Sequence, residues 1–165
     1  MSAWLKLPAK PGSNQNYGAV SNASNFNQGQ ELGIWDSTGP TGKQQWIMAT
    51  PYAEVQDSQW ENWVHVALVY NGNNNREFYL NGVLTGTPQA RNASNRTDLY
   101  GDLWIGTTLA NTGGEWLGGI DEVHIFSFEA GAFDIGDVYQ TIPEPATMSL
   151  LVIGGIAALI RRKRS

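Results

Sequence analysis

Hydrophobic and polar positions alternate with period two over much of the chain before residue 143, and no long stretch there places apolar residues at helical spacing. The clearest stretch is 60–86. Trp63–Tyr70 puts Val64, Val66, Leu68 and Tyr70 on one face and Trp63, His65, Ala67 and Val69 on the other, so both faces are mostly covered. An Asn- and Gly-rich turn follows, then a second run in which Phe78 and Leu80 share a face. Asn81-Gly82 can take the positive φ angles of a tight turn into Val83 and Leu84, which predicts a three-stranded antiparallel meander.

The same periodicity predicts shorter strands on either side. Residues 1–7 set Ala3, Leu5 and Leu7 opposite Trp4 and Lys6 until Pro8 ends the run. Residues 17–20, 31–35 and 44–50 are β-like, and the last two flank Gly- and Pro-rich turn chemistry at 36–42, predicting a hairpin over 31–50. Residues 87–97 read as a polar loop, 99–106 and 116–126 as the last strands, and 129–139 as a short helix or turn. Strands this short at this spacing argue for an all-β sandwich.

A change of character at Pro143-Glu144-Pro145 ends the domain and suggests a division into 1–140 and 141–165. Residues 146–160 contain no charge, and Arg161, Arg162, Lys163 and Arg164 follow. A helix over those fifteen residues would cover roughly 22 Å, short of a ~30 Å hydrocarbon core, so it spans only with snorkelling arginines and local thinning. The basic end is expected to stay cytoplasmic, leaving the N-terminal domain outside.

Composition narrows the chemistry. The chain of 165 residues supports one domain with a core and contains no cysteine, which excludes thiol nucleophiles, disulfides and thiolate metal sites. With four of the ten basic residues in the tail, residues 1–142 hold six basic and fourteen acidic residues, a net charge of −8. Such a domain repels nucleic acid and anionic surfaces.

Trp63–Ala67 and Phe78–Gly82, continued by Leu103-Trp104-Ile105-Gly106 and by Gly119–Phe126, resemble the laminin-G-like, concanavalin A-like jelly-roll family over roughly residues 2–140. The resemblance implies a two-sheet antiparallel jelly roll. Pro143, Glu144 and Pro145, the apolar span and the basic end resemble the PEP-CTERM sorting signal of Gram-negative bacteria that make exopolysaccharide. This second resemblance implies recognition by an exosortase, a membrane protease, and a cell-envelope or extracellular destination with transient anchoring by one short C-terminal transmembrane helix. Such a tail acts on exported proteins, whereas the opening residues lack a charged n-region and an apolar h-region. Met1 is therefore expected to be an internal start or a fragment boundary, with an export signal and the N-terminal strand or strands of the jelly roll upstream.

Candidate sites are few. Glycoside hydrolases of the wider fold carry carboxylates at alternate strand positions, as in Glu-x-Asp-x-x-Glu, and no such run occurs; Asp121 and Glu122 are adjacent and face opposite ways on a strand. No catalytic residue is assigned. Asp121 is the candidate ligand for a structural calcium ion by the resemblance, against a simpler role in bonding a neighbouring strand. Of the seven tryptophans, Trp35 and Trp116 lie beside Gly-rich turns and are the candidates for stacking on a sugar ring. His65 and His124 sit inside strand patterns and are assigned no chemistry. The Asn22, Asn92 and Asn95 triplets match the N-glycosylation pattern, which Asn-rich loops generate by chance. The leading expectation is an exported, non-catalytic adhesion or glycan-binding module; the alternatives are a carbohydrate-active enzyme and a purely structural matrix protein.

Overall fold

The computed structural model describes residues 1–10, 17–22, 31–36, 44–46, 53–70, 75–85, 89–90, 102–107, 114–129 and 131–139. Among the described residues ten strands form two sheets. They are β1 (Ser2–Lys6), β2 (Tyr17–Ser21), β3 (Glu31–Asp36), β4 (Gln44–Trp46), β5 (Trp63–Tyr70), β6 (Asn75–Leu80), β7 (Val83–Leu84), β8 (Gln89–Ala90), β9 (Trp104–Ile105) and β10 (Gly119–His124). The larger sheet runs β10-β1-β5-β6-β7, with β8 also pairing β6, and the smaller runs β4-β3-β2-β9. All pairings between these strands are antiparallel.

The meander forms as its pattern requires. Val66 pairs with Leu80 and Leu68 with Phe78, so their apolar side chains meet on one face. Asn81 and Gly82 make the turn into β7 with φ of 49° and 76°. Asn81 also closes onto β5, its Oδ1 accepting from the His65 N–H at 2.9 Å. The strand predicted over 44–50 is β4, three residues long among those described; the strand predicted over 99–106 is β9; and the turn predicted within 129–139 is a single 3-10 turn at Ile135–Asp137.

The core lies between the sheets. Ala3, Leu5, Leu7, Val64, Val66, Leu68 and Phe78 from the larger sheet meet Tyr17, Val20, Leu32, Ile34 and Trp46 from the smaller. At about 25 cal/mol per Å² of apolar surface, and with no disulfide to help, this burial is the main source of stability. Met1 extends the β1–β5 ladder: its carbonyl accepts from the Leu68 N–H and its ammonium donates to the Leu68 carbonyl, both at 2.9 Å.

The outer face of the larger sheet is also covered. Trp4, His65, Ala67 and Val69 alternate away from the core, yet each is buried. Rings from residues 126–139 lie on this side: Phe133 packs on Tyr79, and Tyr139 packs on Trp4 and His65. Strand β5 is apolar on both sides for that reason.

Candidate functional site

Alternation fixes what the smaller sheet presents outward. Leu32 and Ile34 are in the core, so Glu31 and Gly33 face away from it. Val20, paired with Leu32, is also in the core; the next pair, Ser21 with Glu31, therefore faces outward, and Ser21 pairs on its other side with Trp104. Glu31, Ser21 and Trp104 thus form a row across three adjacent strands, with backbone positions roughly 10 Å apart from end to end at the usual strand spacing.

The three residues differ in exposure. Trp104 is 39% exposed on the edge strand, with Leu103 and Ile105 exposed beside it. Ser21 and Glu31 are buried. Oε1 of Glu31 has no hydrogen-bond partner among the described residues, and burial pushes the carboxyl pKa up to about 7. Near neutral pH this group exists in both protonation states and can donate or accept a hydrogen bond. Trp104 presents a flat apolar face to solvent, while Ser21 and Glu31 beside it in the row are closed to solvent. Paired-carboxylate hydrolysis needs a second acid, and β2 and β9, the strands next to Glu31 in this row, supply none.

The residues singled out by sequence fall elsewhere. Trp116 is 7% exposed and belongs to the core: its ring meets Tyr17 edge-on at 6.5 Å, and its Nε1 donates to the Gly119 carbonyl at 3.0 Å. That leaves no open indole face for a sugar, which corrects the expectation drawn from its Gly-rich neighbourhood. The backbone of Trp35 lies in β3 opposite Gln45; its side chain is outside the described set. Among described tryptophans the exposed ones are Trp63 and Trp104.

Asp121 is exposed on β10, where a bulge interrupts the pairing with β1. Glu122 sits at a φ of 46°, and its N–H donates to Asp121 Oδ1 at 2.8 Å. The carboxylate therefore holds the bulge in place. Among the described residues no group of three or more His, Cys, Asp or Glu side chains is placed to hold a metal ion. A calcium ion at Asp121 would need its other oxygens from backbone carbonyls or from outside the described set.

His65 is buried in the outer aromatic layer; burial, partly countered by the Val138 backbone, lowers its pKa to about 4. The imidazole is neutral at physiological pH and structural, in keeping with its place in a strand pattern. Pro143, Glu144, Pro145, the apolar residues 146–160 and the basic cluster Arg161–Arg164 lie outside the described residues; among those described, no helix is long and apolar enough to cross a membrane.

Sequence alternation could have found Trp104. Leu103-Trp104-Ile105 is apolar at three successive positions, and a strand cannot turn all three toward one core. Glu31 had no comparable signal, because an acid at the start of a strand ordinarily faces water.

Comparison with known families agrees with this architecture. A family model described as the concanavalin A-like lectin/glucanases superfamily matches residues 1–135, and one for the PEP-CTERM protein-sorting motif matches residues 141–164. The latter motif marks proteins exported to the cell envelope or extracellular space and is recognised by exosortase-type processing machinery. No curated protein matches the chain.

Proposed function

The chain belongs to the concanavalin A-like lectin/glucanases superfamily and carries a PEP-CTERM sorting motif, and from that premise we propose that it is a non-catalytic, glycan-binding adhesion module of the bacterial envelope or exopolysaccharide matrix. The observation that supports this reading is the indole of Trp104, exposed on the edge strand of the smaller sheet. Its open face stacks on a pyranose ring. The tail supplies the destination: residues 146–160 hold the exported protein at the membrane until an exosortase-type protease acts near Pro143–Pro145.

A carbohydrate-active enzyme is the competing reading, favoured by the raised pKa of Glu31, which would suit a general acid. The absence of a second carboxyl on β2 and β4, the strands that flank β3, weighs against it. A glycan array probed with the protein, run beside an assay for reducing-end release from the glycans it retains, separates the two. Retention without release supports the binding module; release abolished in Glu31→Gln supports the enzyme; neither retention nor release supports a purely structural matrix protein.

A further inference from the structure

The outer face of the larger sheet carries polar atoms as well as rings. Met1, Ala3 and Leu5 lie in the core, and so do Val64, Val66 and Leu68; Ser2 and Trp4 on β1 and His65 and Ala67 on β5 therefore point the other way. The register sets Ser2 beside Ala67 and Trp4 beside His65. Each of the four exposes 7% of its surface or less. The Trp4 and His65 rings meet edge-on at 5.3 Å, and Tyr139 packs on both, at 5.9 Å and 5.2 Å. On the far side of Ala67 its partner in β6, Tyr79, carries Phe133. Ser2 and Ala67 thus make a low floor between taller aromatic residues.

Three polar atoms on this face, Ser2 Oγ, Trp4 Nε1 and His65 Nδ1, are buried and have no hydrogen-bond partner among the described residues. Unpaired polar atoms are rare in protein interiors, because each has given up the bonds it makes with water in the unfolded chain. Three of them on two neighbouring pairs of the β1–β5 ladder point to a shared guest.

Their chemistry limits what that guest is. An indole N–H only donates, a hydroxyl donates and accepts, and a neutral imidazole nitrogen does one or the other. His65 is neutral because burial lowers its pKa to about 4. The three side chains supply neither a carboxylate for a cation nor a positive charge for an anion, and an apolar guest would leave all three atoms unpaired. Water is uncharged and both donates and accepts, and internal water sits where two to four polar partners converge.

We propose that ordered water is bound on this face beneath Tyr139, held by Ser2 Oγ, Trp4 Nε1 and His65 Nδ1. The aromatic layer then rests on a wet polar floor, and the water is a structural ligand of the β1–β5 ladder. The proposed glycan site lies on the other sheet and plays no part in it.

A high-resolution crystal structure of the protein, joined to NMR of the same protein in solution, tests this. Density for a water oxygen within about 3.2 Å of at least two of the three atoms is expected, together with cross-relaxation between the Trp4 indole proton and a long-lived water. The exposed indoles of Trp63 and Trp104 give the reference for contact with bulk solvent. Ser2→Ala removes the hydroxyl and keeps the space, so water should remain on Trp4 and His65. Ser2→Val raises two methyl groups from the floor, and both signals should be lost. Wild-type density with no water there, or with Trp4 Nε1 and His65 Nδ1 bonded directly to protein groups, overturns the site, whatever the folding of the variants. An unchanged water signal in folded Ser2→Val overturns it as well.

Discussion

The Tyr139 ring rests on Gly82 so closely that a β-carbon built on Gly82 would stand 2.6 Å from its Cδ1. Gly82 also has a φ of 76°, which disfavours any other residue. Gly82→Ala therefore both strains the turn and displaces the ring. The expected cost is about 1–3 kcal/mol in chemical denaturation, with faster amide exchange at Val138 and Tyr139. An unchanged stability would show that the ring does not pack there.

Two other glycines separate crowding from backbone strain. A β-carbon on Gly118 would fall on the Lys6 carbonyl oxygen, whereas one on Gly106, at a φ of 88°, would meet nothing within 4 Å. Gly118→Ala should cost more than about 2 kcal/mol because β1 must move, and Gly106→Ala about 1 kcal/mol from strain alone. Urea denaturation of both variants gives the order, and a reversed order would contradict the packing of residues 116–119 on β1.

Stability should respond to pH through two buried groups acting in opposite directions. Folding raises the Glu31 pKa from 4.5 to about 7, so the folded state holds a proton the unfolded state has released, and this contribution is lost as pH rises from about 4.5 to 7. Folding lowers the His65 pKa from 6.5 to about 4, so its contribution is lost as pH falls from about 6.5 to 4. Relative to wild type, Glu31→Gln should gain stability as pH rises through the first window, and His65→Gln as pH falls through the second. Each relative change should be on the order of 2–3 kcal/mol. The Met1 ammonium, whose pKa burial lowers to about 5, titrates alike in wild type and both variants and drops out of these differences.

Calcium is tested at Asp121. With its carboxylate accepting from the Glu122 N–H inside the β10 bulge, the expected outcome is a Tm shift below about 1 °C on adding a chelator to the intact protein, with destabilisation in Asp121→Ala from loss of the bulge contact. A fall of several degrees on chelation, absent in Asp121→Ala, would establish a structural ion.

Much of the fold was legible because period-two alternation is a direct imprint of burial. It placed the meander, its turn at Asn81-Gly82 and the core side of β5, and the motif order pointed to the two-sheet class. It could not show that His65 is covered by Tyr139, far along the chain, since alternation records that a face is apolar and not what lies on it. Trp116 misled because a Gly-rich neighbourhood was taken to mean an exposed turn, whereas Gly118 and Gly119 allow close packing of that segment against β1 and Trp63. The Glu31–Ser21–Trp104 row joins residues over 70 positions apart and exists only through the β3-β2-β9 pairing, which local pattern does not encode.

The most direct test of the proposed function is titration of a glycan retained on the array into wild-type protein and into Trp104→Ala, followed by calorimetry, with Trp63→Ala as a control exposed to a similar degree on the other sheet. Loss of one stacking surface should weaken binding at least tenfold in Trp104→Ala, with Tm within about 2 °C of wild type and with Trp63→Ala binding normally. Equal affinity of wild type and Trp104→Ala would contradict a binding site on this face.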